Sequence, residues 1–137
     1  MKYINKIFSV EKVSATKLAK KYGTPLYCYS YDKLKKNINN FKENFKSINP
    51  LVCFAVKSNS NINLLREIKK LDCGADVVSM GELMKALKAG INSKKIVFSG
   101  VGKTVNELNY AISNEILLID AESKSEIIEI EKIAKSK

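Results

Sequence analysis

The sequence predicts an α/β chain in which βαβ units build a parallel sheet, and two observations predict it. Leu51-Val52-Cys53-Phe54-Ala55-Val56 is an apolar run without alternation that ends on Lys57 and flips to Ser58-Asn59-Ser60-Asn61. Runs of this kind mark strands buried on both faces, as parallel sheets require. Short apolar segments then recur about every 20 to 25 residues, each followed by an amphipathic helical pattern, which is the signature of repeated βαβ units.

Residues 1–30 read as a separate lead-in and residues 31–137 as the main body. Ser14 is placed to cap a short helix over Ala15–Tyr22, and Gly23 to end it. Thr24-Pro25 opens an expected strand, Leu26-Tyr27-Cys28-Tyr29. From Tyr31 to Ile48 the apolar residues Leu34, Ile38, Phe41 and Phe45 recur at helical spacing, and Asn49-Pro50 stops that helix. After Lys57 a helix face forms from Ile62, Leu64, Leu65, Ile68 and Leu71. The next strand is expected over Ala75–Ser79, with Leu83, Ala86 and Leu87 on its helix and Gly90 at the end. A third strand is expected over Lys95–Ser99, with Val105, Leu108, Ala111 and Ile112 on its helix. The fourth runs from Glu115 to Asp120, and Ile127, Ile130, Ile133 and Ala134 line the last helix.

Right-handed crossovers bring the carboxyl ends of parallel strands to one edge, the place where such sheets hold their chemistry. That edge would collect Lys57, Asp76 with Ser79, Ser99 with Gly100, and Asp120. Each of these alone reads equally as a cap or turn former. Lys57 is the informative one. An ammonium is costly to desolvate, so a lysine closing a buried strand either snorkels into water or serves as an amine needed uncharged and nucleophilic.

Composition narrows the classes. The length of 137 residues supports a real core but falls short of a whole (β/α)8 barrel, which takes about 250. No apolar stretch approaches a membrane span, and the N-terminus has no apolar core of a leader, so a cytoplasmic protein with no membrane partner is expected. Cys28, Cys53 and Cys73 are odd in number and widely spaced, and there is no histidine; reduced thiols fit better than disulfides or zinc. The net charge of +10 invites a nucleic-acid reading, but Arg66 is the sole arginine and the lysines are dispersed. Phosphate and base recognition lean on arginine's fork, so no nucleic-acid partner is expected.

Four ordered segments carry a resemblance: Gly23-Thr24-Pro25-Leu26-Tyr27, Phe54-Ala55-Val56-Lys57-Ser58-Asn59, Gly74-Ala75-Asp76-Val77-Val78-Ser79-Met80-Gly81-Glu82-Leu83, and Ile96-Val97-Phe98-Ser99-Gly100-Val101-Gly102-Lys103. Together they resemble the N-terminal part of the diaminopimelate decarboxylase family, pyridoxal 5'-phosphate (PLP) enzymes on an alanine-racemase-like barrel. The resemblance implies a partial (β/α)8 TIM-type barrel of about four β/α units over 31–137, after a short helix–strand element. It implies PLP-dependent decarboxylation of meso-2,6-diaminopimelate to L-lysine, a small amino-acid substrate, and a homodimer for the full-length enzyme. It also implies that Lys57 forms the internal aldimine and that Asp76 sits beside it, where a carboxylate favours a protonated imine. Ser99 stands where relatives often have histidine and is expected to line the cofactor pocket.

The family's ring-stacking histidine, glycine-rich phosphate loop and substrate-side residues have no counterpart in these 137 residues. The chain is therefore expected to be an N-terminal portion, inactive by itself. Two alternatives stand beside it: a related ornithine- or arginine-type PLP decarboxylase, and a non-catalytic PLP-binding or basic α/β binding module.

Overall fold

The computed structural model describes residues 1–137, the Lys2 side chain apart, and they form two compact units, Met1–Lys46 and Ser47–Lys137. The first unit opens with an antiparallel sheet of β1 (Lys2–Ile4), β2 (Ile7–Val10) and β3 (Val13–Ser14). Asn5 and Lys6 join β1 to β2, both at positive φ (48° and 65°). A two-residue connection with that backbone matches the twist of the strands it joins.

Helix α1 (Ala15–Tyr22) follows without a loop, its first turn capped by Ser14, whose Oγ accepts the Lys17 N–H at 3.1 Å. Gly23, at φ 81°, ends it. The lead-in is thus sheet then helix, where helix then strand was expected. Among the described residues Leu26–Tyr29 has no strand partner and lies outside both sheets. Aromatic residues favour a strand only when a neighbour takes its hydrogen bonds and packs its faces, and Tyr27 and Tyr29 are exposed. Helix α2 (Tyr31–Asn44) ends short of the expected Ile48, with one 3-10 turn over Lys46–Ile48. Its cap is reinforced by Glu11, whose Oε1 accepts the Asp32 N–H at 3.0 Å and the Ser30 hydroxyl at 2.8 Å. These bonds, the backbone one foremost, hold the Glu11 carboxyl below its ordinary range.

The second unit is a four-stranded parallel sheet in the order β4-β5-β6-β7: Cys53–Ala55, Gly74–Val77, Ile96–Phe98 and Leu118–Ile119. Helices α3 (Ile62–Lys70), α4 (Met80–Ala89), α5 (Val105–Ser113) and α6 (Lys124–Lys135) alternate with the strands. Their caps are Asn61, Ser79, Thr104 and Ser123, each accepting a backbone N–H of the first turn, which supplies an acceptor to donors that have no partner in the helix.

Strand order equal to chain order, with every pair parallel, is the arrangement of consecutive barrel strands. In-register rows run across the sheet, one of them Ala55, Asp76, Val97 and Leu118. The alternate positions Ala75, Val77, Ile96 and Phe98 are fully buried, and α4 packs on β5 and β6. Leu83 and Ala86 of α4 are buried, as are Leu65 and Ile68 of α3 and Leu108 and Ala111 of α5, the two helices that pack on α4. On the other face Asp76 and Val97 are half-buried and Leu118 is 50% exposed. The expectation that the first strand is buried on both faces is therefore corrected: Cys53, Phe54 and Ala55 are each half-buried, because β4 is the edge strand of this sheet, with β5 on one side only.

Candidate active site

The parallel pairing puts all four strand ends at one edge of the second unit. Lys57 is there, but not as the last residue of its strand. β4 stops at Ala55, and Val56–Ser58 form a 3-10 turn closed by the Asn59 N–H on the Val56 carbonyl at 3.0 Å and the Ser58 hydroxyl on the Ala55 carbonyl at 2.8 Å. The turn buries Val56 completely and leaves Lys57 exposed. Among the described residues no hydrogen bond or ion pair engages the Lys57 ammonium. It is an accessible amine carried on a hydrogen-bonded turn.

One strand over, Asp76 pairs in register with Ala55. Its Oδ1 accepts the Ser99 hydroxyl at 2.7 Å, and the same hydroxyl lies 2.9 Å from Asp120 Oδ2. Three strands thus meet through one serine. A hydroxyl carries one proton, so it donates to one of the two carboxylates at a time. Asp76 also acts on Cys53: burial pushes that thiol's pKa up, and Asp76 and Cys73 push it further. Cys53 stays protonated and is no nucleophile; among the described residues no disulfide engages Cys28, Cys53 or Cys73.

Ser79 does not join the cluster. Its Oγ accepts the Glu82 N–H at 3.3 Å as the α4 cap, while Glu82 Oε2 accepts the Val78 N–H at 2.9 Å. Glu107 ties the next helix into the same turn. Its Oε1 accepts the Met80 N–H at 3.0 Å, and its Oε2 accepts the Thr104 N–H at 3.0 Å and the Thr104 hydroxyl at 2.8 Å. The Thr104 and Met80 amides, in that order, hold its carboxyl below the ordinary value of 4.5. Replacing Glu107 with alanine should cost about 1–2 kcal/mol of stability at pH 7. The folded pKa is lowered, so the stabilisation is complete above the ordinary value and is lost as pH falls through the folded one. Urea melts of the two proteins should therefore converge on acidification; a gap unchanged at pH 3 would remove the charge from this account.

Sequence reasoning placed Asp120 at the edge without assigning it a role, and missed Lys103. Lys103 follows the Gly100–Gly102 loop, where a lysine reads as solvent-exposed, yet its side chain is 2% exposed.

Residues 31–137 match the family model for the pyridoxal-dependent decarboxylase, pyridoxal binding domain. The chain belongs to the pyridoxal-dependent decarboxylases. Within that family it is 49% identical over 115 residues to the diaminopimelate decarboxylase of Helicobacter pylori, an alignment spanning 84% of this chain and 28% of the relative. The structure of diaminopimelate decarboxylase from M. jannaschii in complex with L-lysine superposes with a TM-score of 0.87 at 42% identity, over 90% of this chain and 30% of that one. Ornithine decarboxylase from Entamoeba histolytica fits less closely, with a TM-score of 0.69 and 30% identity over 76% of this chain and 30% of its own. The pyridoxal-dependent decarboxylase fold expected here, a partial (β/α)8 barrel, is the one these structures share.

The residues present suit attachment of PLP. An aldehyde needs an amine free of competing partners, which Lys57 offers, and Asp76 sets a carboxylate on the adjacent strand. Lys103 is excluded as an attachment point by its burial. Among the described residues no helix is long and apolar enough to cross a membrane.

Proposed function

We propose that this chain is the cofactor-anchoring part of a diaminopimelate decarboxylase, which removes one carboxylate of meso-2,6-diaminopimelate as CO2 and leaves L-lysine. The observation that carries the reading is an exposed lysine, without a hydrogen-bond or ion-pair partner among the described residues, on the turn after β4 at the edge that also carries Asp76, Ser99 and Asp120, in a chain similar to diaminopimelate decarboxylases. When bound, PLP supplies the electron sink for the pair left behind as CO2 departs.

The chain's own residues have narrower tasks. Lys57 is the amine to which the cofactor attaches, and the 3-10 turn fixes where that amine stands. Asp76 sets a negative charge near the attachment nitrogen and favours its protonated form. Ser99 lines the pocket and orients Asp76 through their 2.7 Å bond. Residues 31–137 form this part of the barrel and residues 1–30 lead into it. The whole enzyme works on a free amino acid in the cytoplasm, as a homodimer; the L-lysine named in the M. jannaschii complex fits a product of this reaction.

Incubating the chain with PLP, reducing with borohydride and mapping the pyridoxyl group by peptide mass spectrometry tests the assignment. Label is expected predominantly on Lys57 and absent from Lys57→Ala. Label spread evenly over the surface lysines would overturn it.

A further inference from the structure

The Asp76–Ser99–Asp120 cluster stands on short strands at an open edge, so something must fix it. β7 is only two residues long, too little backbone pairing to hold Asp120 by itself. The structure supplies a buried cation underneath. Lys103 Nζ donates to the Gly100 carbonyl at 2.6 Å and to the Asp120 carbonyl at 2.6 Å, and lies 3.3 Å from both oxygens of Glu126. Its ammonium also lies 5.9 Å from the centre of the Phe98 ring, within reach of a cation–π contact. The Lys103 and Glu126 side chains are 2% and 9% exposed. Glu126 Oε2 also accepts the Glu122 N–H at 2.7 Å, and the Glu126 N–H is held by the α6 cap, Ser123, at 3.1 Å.

Every partner of that ammonium matters to the edge. Gly100 follows Ser99 directly, at φ 95°, a backbone conformation that suits glycine. Asp120 is itself a cluster member. Glu126 brings in the first turn of α6. The three donors of a lysine are thus spent on the end of β6, the end of β7 and the helix that follows. A buried ion pair is a weak source of net stability, because desolvating both charges offsets most of their attraction. Its directional bonds do fix geometry: they hold Asp120 through its carbonyl and Ser99 through the adjoining Gly100 carbonyl, and Ser99 is the residue whose hydroxyl Asp76 accepts from the neighbouring strand.

We infer that Lys103 is a positioning residue for the cofactor site: clamped by Glu126, it holds Ser99 and Asp120 in the arrangement that orients Asp76 toward a cofactor on Lys57. The inference rests on the proposed reading of this edge as the PLP site. It assigns Lys103 no contact with cofactor or substrate.

The test uses the 137-residue chain as Lys103→Met and as Lys103→Met/Glu126→Gln, the second variant removing the ammonium without stranding a buried carboxylate. Two quantities are read: amide hydrogen exchange, and the PLP concentration that half-saturates borohydride labelling of Lys57. The Ser99 and Asp120 N–H groups, bonded to the Val77 and Phe98 carbonyls at 2.9 Å each, should exchange at least tenfold faster in both variants. The Leu65 and Leu83 N–H groups should stay within threefold of wild type. Half-saturation should rise at least threefold, and in a Ser99→Ala background the Lys103 change should add less than twofold, since it acts through Ser99. Half-saturation within twofold of wild type in the folded double variant overturns the inference. So does a full effect persisting without Ser99, or faster exchange at Leu65 and Leu83 as well, which would make Lys103 a general fold residue. If wild type fails to label Lys57, the PLP reading falls, while exchange at Ser99 and Asp120 still decides whether Lys103 holds the cluster.

Discussion

Purified residues 1–137, given PLP and meso-diaminopimelate, should release CO2 no faster than about tenfold over free PLP. The reason lies in the open face of the sheet. Asp76 and Ser99 are only half-buried, and Asp120 is exposed, so water reaches the cluster and screens its charges. Lys57 gives a cofactor one covalent tether, and a ring on one tether samples many orientations. Decarboxylation needs the scissile bond aligned with the π system, and fixed orientation in a dry site is worth about 7 kcal/mol or more, about 10^5 in rate at 1.36 kcal/mol per tenfold. The chain spans only about 28–30% of the relatives it matches. Manometric or 14C-CO2 release exceeding free PLP by a hundredfold or more would show that this face suffices, and would sink the account.

Gly74→Ala should be the most damaging single methyl in the second unit. Gly74 opens β5 between β4 and β6, its N–H donating to the Val52 carbonyl at 2.9 Å. A Cβ there would fall on the Lys95 backbone carbonyl and 2.9 Å from Cys53 Sγ. The carbonyl is backbone and cannot step aside, so β5 and β6 must separate and the Ala75–Ile96 register must loosen. Overpacking of this kind costs about 3 kcal/mol at its upper range, a large part of the about 5–15 kcal/mol that holds a domain together. For a unit of this size the midpoint should fall by about 10–20 °C. A thermal melt within 2 °C of wild type would mean that the strands give way without cost. The same displacement moves Asp76 against Ser99, so Lys57 labelling should weaken in parallel.

Much of the second unit was legible in the residues because helices announce themselves locally. Leu65 and Ile68, Leu83 and Ala86, and Leu108 and Ala111 recur at helical spacing, and all are buried. Ser14 and Gly23 bracket α1 as expected, and the 20-to-25-residue rhythm of strand and helix gave the parallel order. Lys57 stood out for a similar reason, as a charge at the end of an apolar run. The family resemblance was legible too, and it supplied the cofactor that no spacing rule could.

Strands were harder, since pairing is a contact between distant residues. The β1–β2 hairpin turns on Asn5-Lys6, without the Asn-Gly pair that would have signalled it, and Leu26–Tyr29 has strand composition but no strand partner among the described residues. β7 shrank from six expected residues to Leu118–Ile119. The strand-end chemistry depends on register in the same way. Asp76, Ser99 and Asp120 are 23 and 21 residues apart along the chain, and only the alignment of β5, β6 and β7 brings their oxygens within hydrogen-bond reach. Lys103 shows the limit most plainly. Its sequence surroundings, two glycines and a threonine, are those of an exposed loop, and the chain is coated with lysine. What buries it is a glutamate 23 residues on and two backbone carbonyls that converge only once β6, β7 and α6 have packed. Sequence fixes which side chains carry charge and which periodicity is apolar, because both are properties of neighbouring residues; which charges meet is set by the packing of elements far apart in the chain.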